Sequence, residues 1–195
     1  MSWGQLRRVV DLDRHGRCLP AGIVHDATVL HGTPDMHATA LLTQHWATSD
    51  GTYPLPVDPI YLARQLGMEV YLSDLDCDVS AVLVASPGQQ TGIYLNQSDQ
   101  RVRQRFSCAH EIGHFQRRRA SGQQQFGFID RRDHLSSTGL DPEERWANQF
   151  AAALLMPADL LQASPQRDPH QLARVYDVSE RAMTHRLTNL GLINQ

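Results

Sequence analysis

A pair of histidines on a predicted helix is the feature that most constrains this chain. Residues 105–120, RFSCAHEIGHFQRRRA, contain the pattern H-E-x-x-H, formed by His110, Glu111 and His114. Residues four apart on a helix project from the same face about one turn apart, so both imidazoles can face one metal ion. Glu111 can lie beside that ion without binding it and can take a proton from a coordinated water. The segment therefore predicts a helical metal site with Glu111 as the catalytic base.

Zinc is the metal that this pattern favours, because zinc lowers the pKa of bound water to ~7. A catalytic zinc usually has three protein ligands and one open position. Glu144 is the candidate for the third ligand, since it opens the helix PEERWANQFAAALLMP, which can pack antiparallel to the histidine helix. Glu143 is the neighbour that could be confused with it. Asp141 and Glu144 also form a D-x-x-E capping box around Pro142, and spacing alone leaves that structural role and metal binding equally open.

Apolar periodicity and turn residues predict a small sheet before the histidine helix. MHATALLTQHWAT (36–48) is helix-like, and VDPIYLARQLGMEVYL is predicted as a helix, capped by Asp58, followed by a strand. SAVLVAS and TGIYLN flank PGQQ, which predicts a hairpin. The segment FGFIDRRDHLSSTGL is predicted as a linker, and the chain ends in two short helices around DVS.

The histidine helix itself carries two further predictions. Ser98 or Asp99 is its expected N-cap. Its expected buried stripe repeats at helical spacing: Val102, Phe106, Ala109 and Gly113. The arginines clustered in residues 101–132 are expected on a solvated face.

Composition is that of an ordinary globular protein. The chain has 195 residues, 41% hydrophobic and 20% charged, and a net charge of −3, which gives no general attraction to nucleic acid or membranes. Cys18, Cys77 and Cys108 show no C-x-x-C spacing, which favours a reducing compartment, and Cys108 is predicted as a small buried residue. No apolar run resembles a secretory signal or the roughly 20 residues of a membrane span. We therefore expect a cytoplasmic protein without membrane contact.

Two motifs together resemble the ImmA/IrrE-type zinc metallopeptidases. RFSCAHEIGHF matches the family pattern R-F-x-x-A-H-E-x-G-H, and ERWANQFAAALLMP matches E-x-x-A-N-x-F-A-A-x-L-L-M-P. The likeness runs from about residue 55 to 193. It implies a zincin-like (gluzincin) α+β fold with a small β-sheet, an H-E-x-x-H helix and a C-terminal helical tail. It also implies that Glu111 is the catalytic base and that the zinc ligands are His110, His114 and Glu144.

The resemblance implies a regulatory endopeptidase that cleaves a protein substrate, a helix-turn-helix repressor or an antitoxin partner. The expected regions are a loosely specified extension over 1–50, a metallopeptidase core over 51–160 and a helical tail over 161–195. Residues up to about 35 are expected to be loops with surface histidines, and Trp146, where the family often has a second glutamate, is expected to change packing at the cleft rim.

Two other functions stay open at this point. The tail has the rhythm of a helix-turn-helix, so a DNA-binding regulator is one alternative. Its excess of arginine over acidic residues is slight, so nucleic acid is not expected as a direct ligand, and packing of the tail against the core is preferred. The second alternative is a toxin–antitoxin component that acts by binding. The oligomeric state is not constrained by the sequence.

Overall fold

A computed structural model describes residues 32–122, 125–131 and 141–194. These residues form helices and a four-stranded sheet, which confirms the predicted mixed α+β class. The helices are α1 (Pro34–His45), α2 (Pro59–Gln65), α3 (Arg101–Ala120), α4 (Pro142–Leu155), α5 (Ala158–Ala163), α6 (Pro169–Tyr176) and α7 (Glu180–Asn189). The strands are β1 (Glu69–Ser73), β2 (Val79–Ala85), β3 (Gly92–Asn96) and β4 (Phe126–Arg131). The expected loops and histidines before residue 32, and Cys18, lie outside the described residues.

The sheet has the order β1-β3-β2-β4. β2 and β3 form the predicted antiparallel hairpin, and β1 runs parallel to β3. β4 pairs antiparallel with β2, from Phe126 opposite Ala85 to Arg131 opposite Val79. The prediction of a linker over this segment was therefore wrong for its first six residues. Phe126 and Phe128 alternate into the core, but the intervening glycine and the charged residues that follow hide the strand period.

The long helix α3 lies at the centre of the molecule. It contacts α2, α4 and the strands β2, β3 and β4. Because it is enclosed in this way, every residue from Ser107 to Phe115 is buried, while Val102 and Phe106 at the start of the predicted stripe are only half-buried. The predicted stripe is thus confirmed at Ala109 and Gly113, but burial extends beyond it, since a helix packed on several sides buries its polar residues as well.

The start of α3 differs from the prediction. Gln100 is the N-cap and makes no side-chain capping hydrogen bond. Ser98 instead donates to Asn96 Oδ1 through its backbone N–H, at 3.0 Å, and through its hydroxyl, at 2.7 Å. Asn96 organises the turn after β3 from a buried position, and its amide also donates to the Val79 carbonyl at 2.7 Å. Ser98 therefore bonds to Asn96 and does not cap α3, although serine favours the capping position.

Arg105 corrects the expectation that the arginines lie on a solvated face. Its side chain is buried and donates to three backbone carbonyls, those of Val57 at 2.8 Å, Asp177 at 2.9 Å and Tyr176 at 3.3 Å. These carbonyls belong to the segment before α2 and to the C-terminal end of α6, at its last residue and at the residue that follows. Arg101, by contrast, keeps 75% of its side chain exposed. Arg105 thus joins three chain segments that are remote in sequence.

The C-terminal helices α6 and α7 pack on the core, as preferred from the sequence. Asp177 joins them with a left-handed backbone, φ 53°. Leu172, Tyr176, Met183 and Leu187 belong to the main hydrophobic cluster, which also includes residues of α1. The core therefore extends over parts of all three predicted regions, whose boundaries stay predictions. In the part of the chain that the structure describes, no helix combines the length and the apolar character that a bilayer crossing requires.

Candidate metal centre

Three side chains converge where α3 faces the first turn of α4. The Nε2 atoms of His110 and His114 lie 2.9 Å apart. Glu144 presents Oε2 at 3.3 Å from His110 Nε2 and Oε1 at 3.2 Å from His114 Nε2. Ligand atoms around a tetrahedral zinc, at roughly 2.0–2.2 Å from the ion, lie about 3.3–3.6 Å from one another. The two nitrogen–oxygen distances are close to this spacing, while the two nitrogens lie closer together.

The donor set also has the chemistry of a metal site. Within residues 32–122, 125–131 and 141–194 this is the one group of three or more His, Cys, Asp or Glu residues whose ligand atoms all lie within 4.8 Å of one another. The structure therefore brings together the three residues that were predicted as ligands. Their binding of zinc stays a prediction.

Close packing of α3 on α4 sets this geometry. His110 contacts Asn148, whereas Arg118, two turns later on α3, contacts Glu143, so the helices run in opposite directions as predicted. Gly113 faces Ala147 and Phe150 of α4. A Cβ at this position would lie 3.1 Å from Cδ1 of Phe150 and 3.3 Å from Cα of Ala147. Only glycine lets the backbones come this close without displacement.

An oxygen atom lies behind each imidazole, as a hydrogen-bond partner at His110 and as a longer ionic contact at His114. His110 Nδ1 lies 3.1 Å from Asn148 Oδ1, and His114 Nδ1 lies 3.5 Å from Glu143 Oε1. An amide oxygen only accepts hydrogen bonds, so Asn148 favours the tautomer of His110 with the proton on Nδ1. That tautomer leaves the lone pair of Nε2 directed towards Glu144. Such outer contacts orient histidine ligands in metal sites.

Glu111 lies beside this cluster without joining it. The residue is fully buried, and neither carboxylate oxygen has a hydrogen-bond partner among the described residues. Burial raises the pKa of Glu111 well above its usual value; the positive charge of His114 opposes this, and the charges of Asp130 and Glu144 add to it. A dry carboxylate of raised pKa is suited to accept a proton near neutral pH and to release it again.

The pKa values of His114 and Glu144 are shifted as those of an ion pair are. Burial acts to lower the pKa of His114, but the neighbouring carboxylates of Glu143 and Glu144 raise that pKa to about 10. Burial acts to raise the pKa of Glu144, but the neighbouring imidazoles of His110 and His114 lower it well below its usual value. The pocket therefore favours a positive charge between the imidazoles and the carboxylate, and a metal ion bound there would have to displace a proton.

The first turn of α4 holds the acidic residues for which the sequence predicted two roles, helix capping and metal binding. Asp141 is the N-cap and accepts from the backbone N–H of Glu143 at 2.9 Å, with Pro142 in the first turn. Asp141 thus caps the helix, while the carboxylate of Glu144 faces the histidines and does not complete the predicted capping box. Glu143 points to Arg118 and to the far side of His114.

Two residues of β4 contact α3 at or near the cluster, and neither was predicted from the sequence because β4 was predicted as a linker. Phe128 stacks on His114 with ring centroids 4.1 Å apart and planes 17° apart. Asp130 is buried and accepts from the Ser107 hydroxyl at 3.0 Å. The alternation of Phe126 and Phe128 around a glycine was the signal that could have revealed this strand.

Comparison with known proteins follows from this arrangement. The peptidase M78 profile, described as the IrrE N-terminal-like domain, matches residues 63–188. The chain belongs to the IrrE N-terminal-like peptidase family. The predicted resemblance to ImmA/IrrE-type peptidases is thereby confirmed.

The comparison with curated proteins found no match for this chain. Among solved structures, a Mycobacterium tuberculosis transcriptional regulator is similar in fold, with a TM-score of 0.55 and 18% sequence identity. The match covers 80% of this chain and 46% of that protein, so the chain spans a little under half of the regulator's length.

The structure of this member of the IrrE N-terminal-like family shows how Trp146 packs next to the motif. Trp146, next to the motif alanine, stacks on Phe150 with centroids 5.4 Å apart and packs edge-on against His37. The Arg117 guanidinium lies 5.7 Å from the centre of the Trp146 ring.

Cys108 is fully buried in the core, and burial strongly raises the pKa of its thiol. This confirms its predicted role as a small buried residue.

Proposed function

We propose that this chain is a zinc-dependent regulatory endopeptidase that hydrolyses a protein substrate. One observation carries the proposal: Glu111, a buried carboxylate with no hydrogen-bond partner in the part of the chain that the structure describes, adjoins a convergent His-His-Glu cluster. A buried, unsatisfied carboxylate costs stability, and functional sites are where such a cost is retained. Membership of a peptidase family agrees with this interpretation.

In this proposal His110, His114 and Glu144 hold the ion. Zinc, when bound, lowers the pKa of a water molecule and polarises the carbonyl of the peptide bond. Glu111 accepts a proton from the attacking water as the new C–O bond forms. The same carboxyl then gives that proton to the amide nitrogen as the C–N bond breaks, so the amine leaves uncharged. The raised pKa of Glu111 serves both steps, because the group must act first as a base and then as an acid.

The proposed substrate is a helix-turn-helix regulator or an antitoxin partner. The resemblance to ImmA/IrrE-type peptidases supports this substrate class. The proposal includes a reducing, cytoplasmic location, in keeping with the free thiols of Cys77 and Cys108.

The test compares the wild-type chain with Glu111→Gln, co-expressed with helix-turn-helix regulators encoded next to it. We expect the wild type to cleave one of them in a zinc-dependent way. The variant should bind the same amount of zinc by elemental analysis and cleave about 10²- to 10⁴-fold more slowly, because a positioned base contributes that factor. Glu69→Gln is the matched control, since Glu69 is exposed on β1 and remote in sequence from the cluster.

Each other outcome has a clear meaning. Cleavage by Glu111→Gln at the wild-type rate would show that Glu111 is not the base. Full regulation of the partner by this variant, without cleavage, would instead favour a protein that acts by binding, as in the toxin–antitoxin or DNA-binding alternatives.

A further inference from the structure

The two histidines of the cluster are supported by different chemical groups. Behind His110 stands a neutral amide, Asn148 Oδ1, at 3.1 Å. Behind His114 stands a carboxylate, Glu143 Oε1, at 3.5 Å from Nδ1. His114 is only 1% exposed and its Nδ1 makes no hydrogen bond with the described residues, so water does not readily replace this ionic contact. The orientation of His114 therefore depends on how firmly Glu143 is held.

Arg118 holds Glu143 at two points. Its Nε donates to Glu143 Oε1 at 2.8 Å and its Nη2 donates to Oε2 at 2.5 Å. A bidentate pair of this kind fixes the plane of the carboxylate as well as its position. Oε1, the oxygen that Arg118 Nε contacts, is the same oxygen that faces His114 Nδ1.

Phe128 completes this support from the strand β4. Its ring stacks on the imidazole of His114, and the guanidinium carbon of Arg118 lies 5.0 Å from the ring centre. His114 and Arg118 are four residues apart on α3, so they project from the same face. The imidazole is thus restrained by a ring against its plane and by a carboxylate behind its Nδ1.

We propose that the Arg118–Glu143 ion pair is a positioning unit for His114, which directs the lone pair of Nε2 to the metal position. This inference rests on the proposed function, since it assumes that His114 binds the ion. Arg118 acts through Glu143, with which its guanidinium makes two hydrogen bonds. Outer hydrogen-bond partners of histidine ligands typically contribute about 10- to 100-fold to metal affinity, and that range sets the expected effect.

The test measures Zn²⁺ affinity directly, by competition with a chromophoric chelator. We expect Glu143→Ala to weaken Zn²⁺ binding by about 10- to 100-fold. Glu143→Gln should recover much of this loss, because its amide oxygen can accept from Nδ1 as Asn148 does for His110. Arg118→Met should weaken binding in the wild-type background and have no further effect in the Glu143→Ala background, because the two residues act as one unit.

Arg119→Met is the matched control. Arg119 is the next residue of α3, is exposed and lies over the ring of Phe115, so its loss should leave Zn²⁺ affinity unchanged. The visible absorption spectrum of Co²⁺-loaded protein provides a second measurement, which should differ between Glu143→Ala and wild type because the ligand geometry around the ion changes. Circular dichroism of each metal-free variant shows whether the fold is retained.

Several results would overturn the proposal. Wild-type affinity in Glu143→Ala would show that His114 needs no positioning carboxylate. Equal losses in the Ala and Gln variants would show that Glu143 acts through charge alone. An additive effect of Arg118→Met would show that the pair is not a unit. If the wild type binds no Zn²⁺, the proposed function fails as well, whereas zinc binding that is insensitive to Glu143 refutes this inference alone.

Discussion

Gly113→Ala tests whether the close approach of α3 and α4 sets the metal geometry. The added Cβ would lie 3.3 Å from Cα of Ala147, a backbone atom that no side-chain rotation can move, and 3.1 Å from Cδ1 of Phe150. Carbon atoms in contact prefer about 3.5–4.0 Å, so α4 must retreat from α3 by about 0.2–0.4 Å. Glu144 lies one turn before Ala147 on the same face of α4, and it should move with it.

The consequence for metal binding follows from the tolerance of metal–ligand bonds. Ligand distances in real sites stay within about 0.2 Å of their usual values, so the expected displacement of Glu144 equals or exceeds what the ion accepts. We therefore expect weaker Zn²⁺ binding by Gly113→Ala. Stability should change little or fall, because overpacking costs about 1–3 kcal/mol while alanine in a helix interior gains about 1 kcal/mol over glycine.

Two measurements decide the outcome: urea unfolding of the metal-free protein and Zn²⁺ affinity by chelator competition. The expected change in unfolding free energy is a loss of about 0–2 kcal/mol, together with reduced affinity. A variant that is about 1 kcal/mol more stable than wild type, with unchanged affinity, would refute the reasoning. That result would mean that only helix propensity responds and that the two helices have room to spare.

Three further predictions concern protons, the buried arginine and the thiols. Zn²⁺ affinity should rise by about tenfold per pH unit between pH 7 and 9, because a proton must leave His114, whose pKa is raised to about 10. Calorimetry in buffers of different ionisation enthalpy should detect the released proton, and a Zn²⁺ affinity that does not change with pH would contradict this prediction. Arg105→Met should lower the unfolding free energy by about 3 kcal/mol, since three backbone carbonyls lose their donor. An unfolding free energy from urea titration within about 0.5 kcal/mol of wild type would count against a role of Arg105 in joining these segments. In a Cys18→Ser background, a thiol reagent should modify Cys77 in the native protein and Cys108 only after unfolding, and rapid native modification of both thiols would argue against a buried Cys108.

Local features of this protein were predictable because they depend on residues close in sequence. The four-residue spacing of His110 and His114 places both on one face of a helix wherever that helix lies. Asp58 caps α2 by accepting from the backbone N–H of Ile60 at 2.9 Å, as the D-P pair predicts. The hairpin around PGQQ likewise forms from its own turn residues.

Other features depended on contacts between remote segments, and sequence patterns did not reveal them. β4 forms because β2 offers it a pairing edge, so its own period is interrupted by Gly127 without loss of the strand. Arg105 is buried because three carbonyls from distant segments meet around it. A charged residue carries no sequence signal for such an environment.

The amino-acid sequence by itself determined the pair of imidazoles, the neighbouring carboxyl of Glu111 and the capped helix whose first turn holds Glu143 and Glu144. Helical spacing and capping are local, so residues close in sequence decide them. Spacing alone did not decide what each of those two glutamates does. Only the packing of α4 across α3 turned Glu144 towards the two Nε2 atoms and Glu143 towards Arg118 and the back of His114. Adjacent residues on a helix point about 100° apart, and only the position of the opposing helix assigns each direction a partner.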